Sequence, residues 1–309
     1  MTWDSRQLGQ LTGRTLVLTG ANSGIGLETA RDLVGRGAHV IFAVRDVERG
    51  EQAAAGLTGT GTTSVVELDL ADLDSVAQCA KTLLAERTGL SALICNAGIM
   101  GGPMRLTPQG FESQMATNHH GHAALTSAVW PLLHATGGRV VLLSSIAARG
   151  GKLTGDTTRE QLVAPAPYAP QAVYSNTKQA NLLFAQELHR RASRAGSPVS
   201  AVACHPGVSR SNLLPRSLGG GRLRAPVARA VSAVALQSSA AGAQPTLRAL
   251  DHSTPSGAFV GPTTLGQTRG RPELIDVFAT GKDPAVAARL WQLTESLLGA
   301  PLPLGDAVA

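Results

Sequence analysis

Two residues four positions apart, Tyr174 and Lys178, have the types and spacing of an acid-base pair. They lie in a segment, residues 173–194, that is predicted to be a helix. Residues four apart share one helix face, so the phenol and the ammonium point into the same space. A phenol ionises at about pH 10 in water, but a neighbouring ammonium favours the phenolate and lowers that pKa. We therefore expect Tyr174 to act as a proton donor near neutral pH.

Two hydroxyl side chains stand upstream of this helix, at the end of a predicted strand. The apolar run of residues 139–143 leads directly into Ser144 and Ser145. Ligands of open parallel sheets bind beyond the carboxyl ends of the strands. The sequence therefore predicts that these hydroxyls lie where chemistry takes place.

A glycine-rich stretch near the start of the chain predicts a strand, a turn and a helix. The apolar residues 16–18 lead into Thr19-Gly20-Ala21-Asn22-Ser23-Gly24-Ile25-Gly26. Glycine has no Cβ, so this turn can take positive φ and come close to a pyrophosphate, which also meets the positive end of the following helix. A purely structural turn would use glycines too. The spacing matches neither the common G-x-G-x-x-G fingerprint nor the phosphate loop of an NTPase.

Strand-like and helix-like segments alternate along the rest of the chain. Further strands are predicted at 39–44, 64–68, 92–95, 139–143 and 199–204, and helices at 47–57, 72–86, 110–133, 173–194, 226–237 and 239–250. Such alternation means a parallel sheet. We predict an α/β fold, a single doubly wound Rossmann-type domain over residues 1–309, with a mostly parallel seven-stranded sheet flanked by helices.

The end of the second strand carries Arg45, at the place where NAD-preferring proteins usually have an acidic residue for the ribose hydroxyls. A guanidinium pairs well with a phosphate, including the 2′-phosphate of NADP(H). We therefore expect NADP(H) to be preferred over NAD(H). In the alternative interpretation, Arg45 is a surface arginine and Asp46 binds the ribose.

Three histidines, His119, His120 and His122, raise the question of a metal site. On a helix His119 and His122 can share a face, but His120 points elsewhere. No carboxylate or cysteine stands at ligand spacing beside them. We expect no bound metal.

The complete set of motifs resembles the short-chain dehydrogenase/reductase superfamily, in its retinol-dehydrogenase-like and WW-domain-oxidoreductase-like branch. The resemblance covers residues 14–298 and is carried by the turn at 19–26, Asn96-Ala97-Gly98, Asn118, Ser145 and the Tyr174/Lys178 pair, in that order. It implies a catalytic set of Asn118, Ser145, Tyr174 and Lys178. It also implies that the cofactor is bound by Gly20, Asn22, Ser23, Gly24, Ile25, Gly26, Arg45, Asp69, Leu70, Asn96, Ala97, Gly98, Tyr174, Lys178, Pro206, Gly207 and Val208.

The resemblance implies hydride transfer between a nicotinamide and a carbonyl or alcohol carbon. Tyr174 would give the proton, Ser145 would bind the carbonyl oxygen, and Lys178 would hold the ribose and tune Tyr174. Asn118 would fix a proton-supplying water where a helix is interrupted, which Gly121 fits. An epimerase or enoyl reductase is disfavoured by the motif spacing. The main alternative is a non-catalytic NADP(H)-binding sensor or scaffold.

Composition and the remaining segments indicate which substrates and partners the chain is expected to bind. Loops at about 149–173 and 208–223, the second with Gly219-Gly220-Gly221, are expected to determine substrate choice. The net charge of +6 is spread out and aromatics are only 3%, which argues against nucleic acid. The charged N-terminus, three unpaired cysteines and no apolar run of membrane length predict a cytoplasmic protein without a membrane span. The resemblance implies a homodimer or homotetramer through long helices, one of which carries Tyr174.

Overall fold

The computed structural model describes residues 3–208 and 237–304. Their strands are β1 (Thr15–Thr19), β2 (His39–Val44), β3 (Thr62–Glu67), β4 (Ala92–Cys95), β5 (Arg139–Leu143), β6 (Ser200–Cys204), β7 (Phe259–Thr264) and β8 (Arg269–Ile275). Within the described residues they form one eight-stranded sheet in the order β3-β2-β1-β4-β5-β6-β7-β8. Every neighbouring pair is parallel except β7 and β8. The strand order reverses beside β1, which is where such folds bind ligands.

Among the described residues, helices cover both faces of this sheet. They are α1 (Gly24–Gly35), α2 (Val47–Ala55), α3 (Leu73–Glu86), α4 (Ser113–Met115), α5 (Gly121–Ala128), α6 (Trp130–Thr136), α7 (Arg159–Val163), α8 (Pro170–Arg194), α9 (Ser239–Leu250) and α10 (Pro284–Leu298). Strand residues alternate between two cores because successive side chains point to opposite faces. Val17 packs in the core with α3, α5 and α8, whereas Leu16 and Leu18 pack in the core with α1 and α9. The doubly wound α/β prediction is confirmed.

The sheet has one strand more than predicted. β8 runs antiparallel to β7, and its first three residues are exposed. Pro262 and Pro272 face each other across this pair, and a proline cannot donate to a strand ladder. These prolines and the neighbouring glycines look like turn signals, which is why the position of neither strand was predicted from the sequence.

The helix predicted at 110–133 is broken into four pieces. α4 is followed by a π-helical turn, Ala116–His120, and then by α5 and α6. The other bounds lie close to expectation, and Asp72 caps α3 by accepting the amide of Asp74 at 3.1 Å. The helix predicted at 226–237 lies almost wholly outside the described residues, as do 209–223 of the second substrate loop.

The C-terminal helix α10 packs on the outer face of α8. Trp291 of α10 stacks on Phe184 of α8 with ring centroids 5.1 Å apart, and the Arg191 guanidinium lies 4.7 Å from the Trp291 ring centre. Short 3₁₀ helices lie at Ser5–Leu8, Ile146–Gly150, Leu265–Gln267 and Ala279–Gly281. No helix within residues 3–208 and 237–304 has the length and apolarity that a membrane span needs.

Candidate active site

The glycine turn between β1 and α1 is shaped by close backbone approach. Gly20 and Gly24 have φ of +65° and +56°, which favours glycine. A Cβ at Gly26 would collide with the carbonyl oxygen of Gly20 and lie 2.7 Å from the Asn96 side-chain nitrogen. A larger residue at Gly26 would therefore not fit into this turn.

The N-terminus of α1 opens onto this turn. Among the described residues, the side chain of Ser23 makes no capping hydrogen bond to the first turn of α1. The amides of a helix N-terminus attract anions when nothing else satisfies them. The half-buried side chains of Asn22, Ser23 and Ile25 border the same turn. The residues present fit the pyrophosphate of a dinucleotide.

The Thr19 hydroxyl joins the end of β1 to the segment after β4. Its oxygen accepts the amides of Asn96 at 3.0 Å and Ala97 at 2.9 Å. The Asn96 side chain in turn donates to the Thr19 carbonyl at 2.8 Å. Gly98 follows, and a Cβ there would lie 3.2 Å from Asn118 Oδ1 and 3.4 Å from Lys178 Nζ. The structure thus brings Asn96, Ala97 and Gly98 beside both the glycine turn and the predicted catalytic residues.

Arg45 and Asp69 meet at the ends of β2 and β3. The Arg45 side chain is 75% exposed, and its guanidinium lies 4.0 Å from the Asp69 carboxylate. Asp46 instead caps α2 by accepting the amide of Arg49 at 3.1 Å. Leu70 is buried beside them, and its carbonyl oxygen packs against Gly121. Most of the Arg45 side chain therefore faces solvent at this edge, whereas the Asp46 carboxylate is engaged in the α2 cap.

Ser145, Tyr174 and Lys178 converge where β5 ends beside α8. The Lys178 ammonium donates to the Leu143 carbonyl at 3.1 Å and lies 5.8 Å from the centre of the Tyr174 ring. Ser144 donates to the Lys178 backbone carbonyl at 2.7 Å and so fixes α8 against β5. Burial lowers the pKa of Lys178 to about 8.

The pKa of Tyr174 departs from expectation. Burial raises it above the ordinary value, and a hydrogen bond with the Ser145 hydroxyl acts in the opposite direction. The prediction that Lys178 lowers the pKa of Tyr174 is wrong. The physical reason is that burial also disfavours the charged form of Lys178, and its hydrogen bond goes to Leu143 rather than to the phenol.

Asn118 lies in the π-helical turn, as expected for a locally interrupted helix. Its side-chain oxygen accepts the Ile99 amide at 2.8 Å, and its side-chain nitrogen donates to the Ile99 carbonyl at 2.9 Å and to the Thr177 hydroxyl at 3.0 Å. Thr177 also donates to the Tyr174 carbonyl at 2.8 Å. Asn118 therefore ties the segment after Gly98 to the first turns of α8.

The segment after β6 carries Pro206, Gly207 and Val208. Gly207 has φ of +70°, and a Cβ there would collide with the Thr268 carbonyl of the β7–β8 connection. Val208 donates its amide to the same carbonyl at 2.7 Å. The β7–β8 connection is therefore packed against these residues, which follow the carboxyl end of β6.

The three neighbouring histidines do different things. His119 lies 3.3 Å from the Asn181 side-chain oxygen and 3.1 Å from the Thr294 hydroxyl of α10. His120 packs against the rings of Phe111 and His119. His122 contacts Thr19 and the Asn118 carbonyl instead. Within the described ranges, no group of three or more His, Cys, Asp or Glu residues is placed to hold a metal ion.

Side-chain hydrogen bonds that the sequence did not predict hold the loop at about 149–173, which is predicted to determine substrate choice. The Tyr168 phenol donates to the buried Glu112 carboxylate at 3.1 Å. Gln114 donates to the Tyr168 oxygen and to the Pro170 carbonyl, each at 3.1 Å, and accepts the Gly101 amide at 3.0 Å. The loop before α8 is thereby joined to the segment after β4. Only the presence of a second tyrosine six residues before Tyr174 hinted at this link.

Comparisons of the sequence and of the structure with known proteins identify similar proteins. The short chain dehydrogenase family matches residues 14–155, a region that ends before Tyr174. Human retinol dehydrogenase 14 is 34% identical over 308 residues, which cover 94% of this chain and 88% of that protein. Human retinol dehydrogenase 12 is 42% identical over 212 residues, which span 67% of this chain but 65% of that protein. A crystal structure of an uncharacterized protein from Mycobacterium paratuberculosis is 40% identical, with a TM-score of 0.81, and covers 98% of this chain and 100% of its own.

Proposed function

Since this chain belongs to the short-chain dehydrogenase/reductase superfamily, in its retinol-dehydrogenase-like branch, we propose that it is an NADP(H)-dependent oxidoreductase. It transfers a hydride between nicotinamide and a carbonyl or alcohol carbon of a small or lipophilic substrate. The observation that carries this proposal is the convergence of Ser145, Tyr174 and Lys178 beside a glycine turn shaped for a pyrophosphate. The lipophilic class follows from the relatives, which are retinol dehydrogenases.

The side chains divide the proton chemistry among them. When bound, the nicotinamide supplies or takes up the hydride. Tyr174 gives its phenolic proton to the substrate oxygen as negative charge develops there, and Ser145 donates a hydrogen bond to the same oxygen. Lys178 holds the cofactor ribose and, once charged, favours the phenolate of Tyr174. Asn118 supports the water that resupplies the proton.

The preference for NADP(H) rests on Arg45. Its side chain is exposed, whereas Asp46 is engaged in capping α2. A guanidinium beside the adenosine ribose favours a 2′-phosphate through charge-assisted hydrogen bonds. The carboxylate of Asp69, 4.0 Å from Arg45, helps to hold the arginine at this edge.

The test is a side-by-side screen of aldehydes and ketones with NADPH and NADH, followed by the absorbance of the reduced nicotinamide. We expect oxidation of NADPH by some of these carbonyls. In Tyr174→Phe, which removes only the hydroxyl, turnover should fall by about 10²–10⁴-fold while NADPH still binds. Parental turnover in Tyr174→Phe would contradict the mechanism. Binding of NADPH without oxidation across a broad panel would favour the sensor or scaffold instead.

Three further expectations stay predictions. One is that residues 1–309 form a single Rossmann-type domain. The second is a homodimer or homotetramer; since α10 covers part of the outer face of α8, such an assembly would need other parts of the surface. The third is a cytoplasmic location, which the buried free thiols of Cys79, Cys95 and Cys204 support.

A further inference from the structure

The imidazole of His122 is fully buried between two parts of the site. Its Nδ1 lies 3.1 Å from the carbonyl oxygen of Asn118, and its Nε2 lies 2.9 Å from the hydroxyl oxygen of Thr19. A carbonyl oxygen can only accept, so Nδ1 carries the proton. Burial lowers the pKa of His122 to about 3, so the ring is neutral near pH 7. Nε2 then accepts a hydrogen bond from the Thr19 hydroxyl.

This arrangement fixes the direction of the Thr19 hydroxyl. The other acceptor within reach, the Ile94 carbonyl, is farther away at 3.3 Å. With its proton directed to His122, the Thr19 oxygen turns its lone pairs to the amides of Asn96 and Ala97, at 3.0 and 2.9 Å. The hydroxyl then has one donor bond and two acceptor bonds, which is its full capacity.

We propose that His122 is a positioning residue. Through a single imidazole tautomer it holds the start of the glycine turn, at Thr19, in register with the π-helical turn that carries Asn118. The inference rests on the proposed function, because those two segments are assigned there to cofactor binding and proton supply. Thr19 and His122 are 103 residues apart in the chain, so no local structure can hold them together. A phenylalanine of similar size would fill the space but would leave the Asn118 carbonyl and the Thr19 hydroxyl without these partners.

The tautomer is measured directly by ¹⁵N NMR of the imidazole nitrogens in the full chain. The His122 signals are identified in the parent protein by through-bond correlation of the ring with its assigned backbone amide. We expect a protonated Nδ1 and a bare Nε2, unchanged across about pH 6 to 8, because a neutral buried ring does not titrate there. A protonated Nε2 or a charged ring would overturn the proposal. This measurement requires no substrate, so it stands apart from a failure of the proposed activity.

Two substitutions of His122 each remove one of its two hydrogen bonds, to the Asn118 carbonyl or to the Thr19 hydroxyl, and keep the other. Asparagine places an amide near the position of Nδ1, and glutamine places one near Nε2. His122→Asn should weaken NADPH binding by about fivefold, the size of one lost hydrogen bond, with a smaller effect on turnover. His122→Gln should keep NADPH affinity and lower kcat by a similar factor, with a shifted pH profile.

The matched control is His119→Asn, which makes the same change at a buried histidine of the same turn. The ring nitrogens of His119 bond to the side chains of Asn181 and Thr294 rather than to Thr19 or the Asn118 carbonyl. It should lose thermal stability but keep NADPH affinity. An equal loss of affinity in all three variants, or no loss in His122→Asn, would overturn the proposal. If the variants do not fold, the tautomer measured in the parent protein decides.

Discussion

The proposed dinucleotide side of this site, at the glycine turn, and its proposed substrate side, the loop before α8, are positioned in different ways. On the dinucleotide side, the fit depends on missing side-chain atoms, since a Cβ at Gly20 would lie 3.1 Å from the Ala97 Cα. On the substrate side, the loop before α8 is held by hydrogen bonds from Tyr168 and Gln114 to partners 54 and 56 residues away. Residue spacing encodes the first kind of positioning. The second depends on long-range side-chain contacts, which no local pattern reveals.

Lys178 stands between the two sides, and we expect the largest effect on stability there. Moving its pKa from 10.5 to about 8 corresponds to about 3 kcal/mol of unfavourable burial of the ammonium. The unfolded chain keeps this proton up to about pH 10.5, whereas the folded chain releases it near pH 8. The penalty is therefore complete below pH 8 and fades as pH rises toward 10.5.

We therefore expect Lys178→Met to be more stable than the parent by up to about 3 kcal/mol at pH 7, although inactive. Denaturant unfolding at several pH values measures this gain, which should shrink above pH 8. The thiols of Cys95 and Cys204 act in the opposite direction on Lys178, but less than burial does. Lys152→Met, at an exposed lysine, is the control and should change little. A stability gain that grew with pH would contradict this account.

Gly26 tests whether missing atoms position the dinucleotide side. Gly26→Ala forces a Cβ against the Gly20 carbonyl and the Asn96 side chain. Overpacking of this kind costs about 2 kcal/mol, and NADPH affinity should fall with it. Gly35→Ala is the matched control at the other end of α1, where a Cβ meets open space. It should be neutral or stabilising by up to about 1 kcal/mol. Equal effects of the two substitutions on NADPH binding would remove the distinction drawn between the two sides.

Much of the fold could be predicted because buried parallel strands are continuous apolar runs. The predicted bounds of β2, β4 and β5 are those of the structure. β7 and β8 were missed because Pro262 and Pro272 resemble turn signals. The interruption at the π-helical turn was indicated by the resemblance at Asn118 rather than by composition.

Within the site, residue types with fixed spacing could be chosen from the sequence, and they lie along one edge of the sheet. Their roles stay predictions. The bonds of Thr19 to His122 and of Tyr168 to Glu112 could not be predicted, because each joins residues far apart in the chain.

In the proposed function, Arg45 is the adaptable part of the dinucleotide side, since it would act through charge rather than through close packing. Its exposure limits the gain, so Arg45→Ala should reduce the preference for NADPH over NADH by about tenfold, or about 1.5 kcal/mol. Titration of both cofactors measures the ratio. Arg49→Ala, at an exposed arginine of α2, removes the same charge and should leave the ratio unchanged. Equal affinity of the parent for both cofactors would end the proposed preference.

Tyr168 gives the smallest expected effect and tests the substrate side. Tyr168→Phe removes the hydroxyl that donates to Glu112 and accepts from Gln114. Gln114 keeps its bonds to Gly101 and Pro170, so the loop should loosen rather than unfold. Two hydrogen bonds are lost, each worth about 1 kcal/mol, and about 1 kcal/mol of this total should appear as weaker substrate binding. We expect the KM of a good carbonyl substrate to rise by about fivefold, with the Kd of NADPH unchanged.

The variant should also discriminate less between bulky and small carbonyls, because a looser loop admits larger substrates. The ratio of kcat/KM for the two substrate classes measures this directly, and a general loss of stability would not change it. Gln109→Leu is the control, since Gln109 makes a comparable half-buried bond to Asp72 at 3.0 Å. It should leave the ratio unaltered. If NADPH affinity in Tyr168→Phe worsened in proportion to KM, the two sides would be coupled through Tyr168, and their separation would not hold.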